Sequence, residues 1–133
     1  MSDWCREPPP PQLLEGIAQF NRGEYFVQHE TLELLWRAER RELRRLYQGI
    51  LQIGVACHHL RRLNHHGTVY MLTRGSTHLA PFAPECQRVD VDALLASAAT
   101  MLQRVLALGP HRLSEFDWSL APIVRLKPDA DPK

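Results

Sequence analysis

Apolar residues recur every three or four positions along most of the chain, which is the period of helices that bury one face. The pattern predicts five helices, over about residues 12–21, 24–40, 41–64, 68–80 and 91–108. The third is apolar on most sides, as is typical of a central helix with several neighbours. Its Gly49 and Gly54 lower the helix propensity, and the close approach of another helix would offset that cost. We therefore predict an all-α, compact bundle built around the second and third helices.

The segments between and after these helices contain breaks and one further apolar stretch. His65-His66-Gly67 is predicted to form a turn, and residues 81–89 to form a loop. Asp90 is a good N-cap for the fifth helix, and Gly109-Pro110 ends it. Residues 111–127 are too apolar to be free, so we expect an extended segment packed across the bundle. The chain is therefore predicted to consist of a flexible Pro-rich arm at 1–11, a single helical domain at 12–127 and a disordered tail at 128–133.

Composition narrows the function classes. The 133 residues are 44% hydrophobic and 23% charged, with a net charge of +1, so nucleic-acid binding is not expected on overall charge. The three cysteines are far apart and form no CxxC pair, so zinc ribbons and thioredoxin-like motifs are excluded. We expect a protein of the reducing cytosol. The N-terminus has no signal-peptide pattern and no apolar stretch approaches 18 residues, so no membrane association is expected.

The second helix carries the groups with the most chemical potential. On a helical wheel His29 and Glu33 lie one turn apart in the middle of an aromatic face, with Tyr25 and Trp36 beside them and Glu30 toward the edge. A carboxylate that faces a core must be paired or hydrogen-bonded. The pattern therefore predicts polar partners for Glu33 on a neighbouring helix.

The third helix offers such partners. Arg45, Gln48, Gln52 and His59 share one narrow stripe at spacings of three, four and seven. If that stripe faces His29 and Glu33, the two helices enclose a buried polar network that fixes their register. A binding pocket for a small ligand or peptide is the alternative that uses the same residues.

A metal or acid/base site is a further hypothesis. His29, Glu33 and His59, with Glu30 at the rim, have the ligand types of carboxylate–histidine sites in helical bundles. The spacing lacks the second histidine of the His-Glu-x-x-His zinc helix, and the Glu-x-x-His di-iron pattern is absent. No cofactor is therefore expected from the sequence.

Five arginines lie between Arg37 and Arg45, and Arg61 and Arg62 end the next helix. Arginine suits phosphate binding. Glutamates interleave with the first cluster, and no Lys/Arg stripe with aromatic residues for base stacking is formed. A solvated cluster at a helix end is the preferred interpretation, and a weak phosphate or nucleic-acid contact is the alternative.

These residues also resemble a known family. The segments that carry the resemblance are Phe20-Asn21-x-Gly23-Glu24-Tyr25-Phe26-x-x-His29-Glu30-x-x-Glu33-x-x-Trp36, Gln48-Gly49-Ile50-Leu51-Gln52, His59-Leu60 and Asn64-x-x-Gly67. They are similar to the small helical prokaryotic proteins catalogued as domain of unknown function three hundred and nine, over about residues 13–80. The resemblance implies a compact all-α intracellular fold with no accepted activity or cofactor.

The function predicted from the sequence is a non-enzymatic scaffold or binding module with a buried His/Glu/Gln network. A hydrolase that uses His29, Glu30 and Glu33, with or without a divalent metal, is the competing hypothesis. The apolar faces favour a homo-oligomer or a protein partner.

Overall fold

The computed structural model describes residues 3–128, and five α-helices form in that part of the chain. Their bounds are α1 Pro11–Asn21, α2 Tyr25–Ala38, α3 Arg44–Arg61, α4 His65–Leu79 and α5 Val91–Leu108. The helix α3 contacts both α2 and α4, and α5 packs on α4. The predicted all-α bundle of about five helices is confirmed, and its centre is α3, with α2 and α4 as its neighbours.

Two glycines let α3 lie very close to its neighbours, as predicted. A Cβ atom on Gly49 would lie 2.6 Å from Leu79 Cγ and 3.1 Å from the Gly75 carbonyl oxygen of α4. A Cβ atom on Gly54 would overlap the side-chain amide of Gln28 on α2. The close packing offsets the low helix propensity of both glycines.

The predicted turn at His65-His66-Gly67 is wrong, because these residues form the first turn of α4. Asn64 is the N-cap, and its Oδ1 accepts a hydrogen bond of 2.9 Å from the Gly67 N–H. This cap satisfies one of the free N–H groups at the helix start. The predicted Asp90 cap of α5 is confirmed by a bond of 2.9 Å from the Ala93 N–H.

A short antiparallel hairpin interrupts the predicted loop at 81–89. Its strands, β1 (Glu85–Cys86) and β2 (Val89–Asp90), are joined by Gln87 and Arg88, which both have positive φ. Two such residues form the tight turn that suits a two-residue hairpin loop.

The C-terminal segment packs across the bundle, as predicted. It forms two 3₁₀ turns, Leu113–Glu115 and Trp118–Leu120, and then runs extended. Asn21 at the end of α1 holds it through bonds of 2.8 and 2.9 Å to the backbone of Val124. Of the tail predicted at 128–133, residues 129–133 lie outside the described residues.

The N-terminal segment differs from the free arm that its prolines predict. Residues Asp3–Arg6 form a 3₁₀ helix, and a disulfide joins Cys5 to Cys86 of β1. The Trp4 ring packs on Phe82 at 6.0 Å between centroids, and Pro11 already belongs to α1. Because pairing of Cys5 and Cys86 depends on tertiary proximity, no spacing rule in the sequence could reveal it. The cytosolic location stays a prediction, and disulfides are more usual in oxidising compartments.

By length and composition, α5 could cross a membrane, since its 18 residues have a mean hydropathy of 1.4. The expectation that no stretch reaches this length is therefore wrong. One third of the helix is buried in the protein, including Val91, Leu94 and Met101. A core helix passes the same test, so this feature is weak support for a membrane span.

Reduction of the disulfide should destabilise the fold. Because Cys5 and Cys86 are 81 positions apart, their cross-link restricts a large loop of the unfolded chain. We expect dithiothreitol or Cys5→Ser to lower the free energy of unfolding by about 2–4 kcal/mol, measured by urea denaturation. The buried Cys57 is unpaired, so the reductant should affect Cys57→Ser as it affects the wild type. Equal stability of the oxidised and reduced proteins would contradict this role for the disulfide.

Candidate functional site

The buried side of α2 is centred on Gln28 and Leu32, which are both fully buried, with Tyr25 beside them. Phe26 is 56% exposed, although it is an aromatic residue next to Tyr25 in the chain. On a wheel of about 100° per residue, the centre of the buried side therefore lies roughly 65° from His29. The expected inward position of His29 and Glu33 is wrong, and both lie at the edge of the buried side.

His29, Glu33 and Arg37 form a chain of paired side chains along α2. Glu33 Oε1 lies 3.1 Å from His29 Nε2, and Glu33 Oε2 lies 2.6 Å from Arg37 Nη2. The side chains of His29 and Glu33 are 34% and 27% exposed, so water reaches both. Glu33 thus finds its partners on its own helix, and Glu30 is exposed. The predicted buried network is wrong for these residues.

The two aromatic residues of the predicted site have separate contacts. Trp36 is half-buried, and the guanidinium carbon of Arg44 lies 5.5 Å from its ring centroid. Tyr25 is buried, and burial, together with the neighbouring Cys57, raises the pKa of its hydroxyl above the usual range. The Trp36 indole N–H is buried and has no hydrogen-bond partner in the described part of the chain, so it makes no bond to His29 or Glu33.

The polar stripe of α3 exists, but its members bond elsewhere. Arg45 Nη1 donates a hydrogen bond of 2.6 Å to Gln48 Oε1, and Gln52 Oε1 lies 2.7 Å from Nδ1 of His78 on α4. His59 Nδ1 lies 3.3 Å from Asn64 Nδ2. Within the described residues, no hydrogen bond joins the stripe to His29 or Glu33.

The position of the stripe on α3 explains this outcome. The side of α3 that meets α2 carries Leu51 and His58, and the side that meets α4 carries Gly49 and Ile53. The stripe lies between these two sides on the helical wheel, along the seam where α2 and α4 flank α3. His78 was missed because nothing local in the sequence indicates that α4 passes beside Gln52.

Gln28 is the buried polar contact between α2 and α3 that the sequence reasoning missed. Its Nε2 donates to the carbonyl oxygens of Tyr25, at 3.0 Å, and Leu51, at 3.2 Å. The signal was available, because Gln28 stands three positions after Tyr25 and four before Leu32, on the same helical face.

The predicted metal ligands do not assemble into a site. Among residues 3–128, no three His, Cys, Asp or Glu side chains are grouped so that they could hold a metal ion. His29 and Glu33 are adjacent, but His59 is engaged with Asn64 instead. Glu33 would have to release Arg37 before its second oxygen could bind a metal.

The arginine cluster at 37–45 is partly engaged within the protein. Arg37 pairs with Glu33, and Arg41 forms ion pairs of 2.9 Å with both Glu7 and Glu39. Arg40, Arg44 and Arg45 have no carboxylate partner among residues 3–128, so the choice between a solvated cluster and a weak phosphate contact stays a prediction.

A more open surface surrounds the C-terminal end of α3. Two clefts of about 580 and 480 Å³ lie there, and Arg61 lines both of them. The first is lined by Gly23, Glu24, Tyr25, Phe26, Val27, His58, Arg61 and Arg62, and the second by Leu60, Arg61, Leu63, Leu113, Ser114 and Trp118. We call the two clefts together the Arg61 surface.

Arg61 is held in a defined position at the centre of this surface. Its guanidinium carbon lies 4.8 Å from the Tyr25 ring centroid and 5.7 Å from that of Trp118. Its Nη1 donates a bond of 2.9 Å to the Gly23 carbonyl oxygen. Such cation–π contacts fix the plane of a guanidinium. The sequence identified Arg61 only as a helix-end charge, since Trp118 is brought beside it by the C-terminal segment.

Three partly buried histidines have pKa values below their usual range. Burial is the main cause for His58, and Arg62, Arg61 and His29 add to it. Burial also lowers the pKa of His59, with His58 and Arg62 as further causes. In His78, burial acts together with Arg45 and Arg74.

These shifts predict a loss of stability in mild acid. Below the unfolded pKa of about 6.5, the unfolded chain takes up protons that the folded histidines accept only at lower pH. We expect the melting temperature to fall as the pH is lowered from about 7.5 to 5.5. His58→Asn should reduce this dependence, whereas His111→Asn, at an exposed residue, should not. Equal pH profiles for wild type and His58→Asn would contradict the assignment.

A second prediction separates the buried and the edge polar groups of α2. Gln28→Ala removes two buried hydrogen bonds and leaves a cavity, so it should lower the free energy of unfolding by about 1–3 kcal/mol. Glu33→Gln weakens a half-exposed ion-pair chain and should cost under about 1 kcal/mol. Urea denaturation of both variants measures the difference, and a larger loss for Glu33→Gln would restore the buried-network model.

Comparison with known proteins supports the resemblance seen in the sequence. Residues 13–71 match the family model described as Domain of unknown function (DUF309). The match includes all of α2 and α3 and ends within α4, so it covers Arg61 but not Trp118. No curated protein and no solved structure matches the chain. The predicted resemblance is confirmed: over residues 13–71 this chain is similar to the DUF309 family.

Proposed function

We propose that the protein is a non-enzymatic binding module and that the Arg61 surface is where it binds. The observation that carries the proposal is a cluster of exposed apolar side chains on this surface. Phe26, Val27, Leu63 and Trp118 are 40–56% exposed and line the two clefts around Arg61. Contiguous exposed apolar groups with a polar rim are typical of sites for other macromolecules.

The composition of the surface supports the same proposal. Protein-binding surfaces are enriched in aromatic residues and arginine, and depleted in lysine and acidic residues at their centre. Arg61 lies at the centre here, in contact with Tyr25 and Trp118, and Phe26 packs against the His58 ring at 5.8 Å between centroids. Because these side chains already contact one another, they lose little conformational entropy on binding.

The polar groups of α2 and α3 support a binding module over a hydrolase. A general base needs a free lone pair beside a space for substrate. Each oxygen of Glu33 already faces a partner, His29 or Arg37, and Glu30 is exposed and lines neither cleft around Arg61. The clefts around Arg61 contain neither Glu33 nor His29.

The proposal predicts that peptides can be selected by this surface. Random peptides displayed on phage are selected on the immobilised wild type, and their binding is compared on Phe26→Ser and Leu63→Asn. Asparagine is chosen because position 63 has a φ of 58°, which asparagine tolerates. We expect both variants to lose most of the binding while they keep the wild-type melting temperature.

Leu106→Ser is the matched control, because Leu106 is 56% exposed on α5 and lines neither cleft. It should bind the selected peptides as the wild type does. If no peptide is enriched, or if Phe26→Ser and Leu63→Asn bind as well as wild type, the proposed function is wrong.

A further inference from the structure

We infer that the partner of the Arg61 surface is an acidic protein segment that carries apolar side chains beside its carboxylates. This inference rests on the proposed function and names the class of partner that the surface recognises. The charges, the position of Arg61 and the availability of the aromatic faces each support it.

The charge that remains unpaired on this surface is positive. Neither Arg61 nor Arg62 forms an ion pair with a carboxylate among residues 3–128. Glu24 is the carboxylate that lines the first cleft, and it already pairs with Arg22 at 3.0 Å. Glu115, next to Ser114 of the second cleft, pairs with Arg112 at 2.9 Å, whereas Asp117 accepts hydrogen bonds from Ser119 and has no cation as partner. An acidic group that approaches the clefts therefore meets two cations that have no carboxylate bound to them.

Arg61 is arranged to receive a carboxylate. A guanidinium has five N–H donors, and one of those of Arg61 is used by the Gly23 carbonyl oxygen. The rings of Tyr25 and Trp118 contact the guanidinium, which favours a fixed orientation of its remaining donors. A carboxylate can accept two parallel bonds from such a fork, which is the strongest common form of this interaction.

The apolar side chains on either side of Arg61 require apolar groups on the partner. Phe26 and Val27 line the first cleft, and Leu63 and Trp118 line the second. A segment with a carboxylate over Arg61 can place an apolar side chain in each cleft. The burial of these side chains provides affinity, and the carboxylate provides orientation.

The same surface is poorly suited to single-stranded nucleic acid. Binding of this kind depends on aromatic faces on which bases stack. The Tyr25 and Trp118 rings are already in contact with the Arg61 guanidinium, and Val27 and Leu63 offer no stacking face, so Phe26 is left as the exposed aromatic ring that lines the clefts. A net charge of +1 for the whole chain also provides little attraction for a polyanion.

The test uses the peptides selected on the wild-type protein. We expect them to be enriched in Asp and Glu next to Leu, Phe or Trp. The most enriched peptide is synthesised with a fluorescent label, and in a second form with each Asp and Glu replaced by Asn and Gln. The dissociation constant measured by fluorescence anisotropy should be at least about tenfold higher for the amide form. High salt should weaken the binding of the acidic form only.

Variants of the protein locate the effect. Arg62→Gln and Arg61→Lys should each weaken binding of the acidic peptide several-fold, with Arg61→Lys losing the fork but keeping the charge. Arg74→Gln is the matched control. Arg74 is an exposed arginine outside both clefts, and its guanidinium carbon lies 5.9 Å from the Tyr70 ring centroid. Its binding should equal that of wild type. Circular dichroism melting checks that the variants remain folded.

The outcomes separate this inference from the proposed function. The inference of an acidic partner is wrong if the selected peptides depend on Phe26 and Leu63 but are neutral or basic. It is also wrong if the amide form binds as well as the acidic form. In both cases the proposed binding module would still be supported. Tighter binding of an oligothymidine through Arg61 and Arg62 would also overturn the inference of an acidic partner. So would sedimentation of the wild type as a dimer that Phe26→Ser dissociates, since a second copy would then cover the surface.

Discussion

The close contact of α3 with both of its neighbours governs which residues of the bundle are buried. Gly49 brings the α3 backbone against Gly75 and Leu79 of α4, and Gly54 accommodates the buried Gln28 of α2. Because backbones approach so closely, almost every residue in the middle of α3 is buried. The helix therefore meets solvent mainly along one polar seam and at its C-terminal end, where His58, Arg61 and Arg62 lie.

This packing also determines what the polar residues do. One buried amide, that of Gln28, bonds across the interface of α2 and α3, whereas His29 and Glu33 remain at the edge and pair within α2. The arrangement avoids the cost of burying a carboxylate. The clefts lie instead around Arg61, where exposed apolar side chains accompany two arginines, and this is why the proposed activity is binding rather than catalysis.

The Arg61 surface combines parts of the chain that differ in their relation to known proteins. Tyr25, Phe26 and Arg61 belong to the segment that matches the DUF309 family model, while Trp118 and Leu113 come from the C-terminal segment beyond it. Asn21 anchors this segment at Val124, and so helps to hold Trp118 beside Arg61. The surface therefore requires both the family segment and the additional C-terminal chain.

The number and type of the helices, the cap and stop of α5, and the packing of the apolar C-terminal segment could be predicted from the sequence, because these depend on short-range periodicity and local backbone chemistry. The sequence also contained the position of Gln28 on the buried face of α2. Four features emerge only from the folded chain: Phe26 points outward, Gln52 meets His78, Cys5 joins Cys86 and Trp118 contacts Arg61. The orientation of Phe26 follows from how α2 is rotated against α3, and each of the other pairs joins residues at least 26 positions apart, whose proximity results from the packing of whole helices.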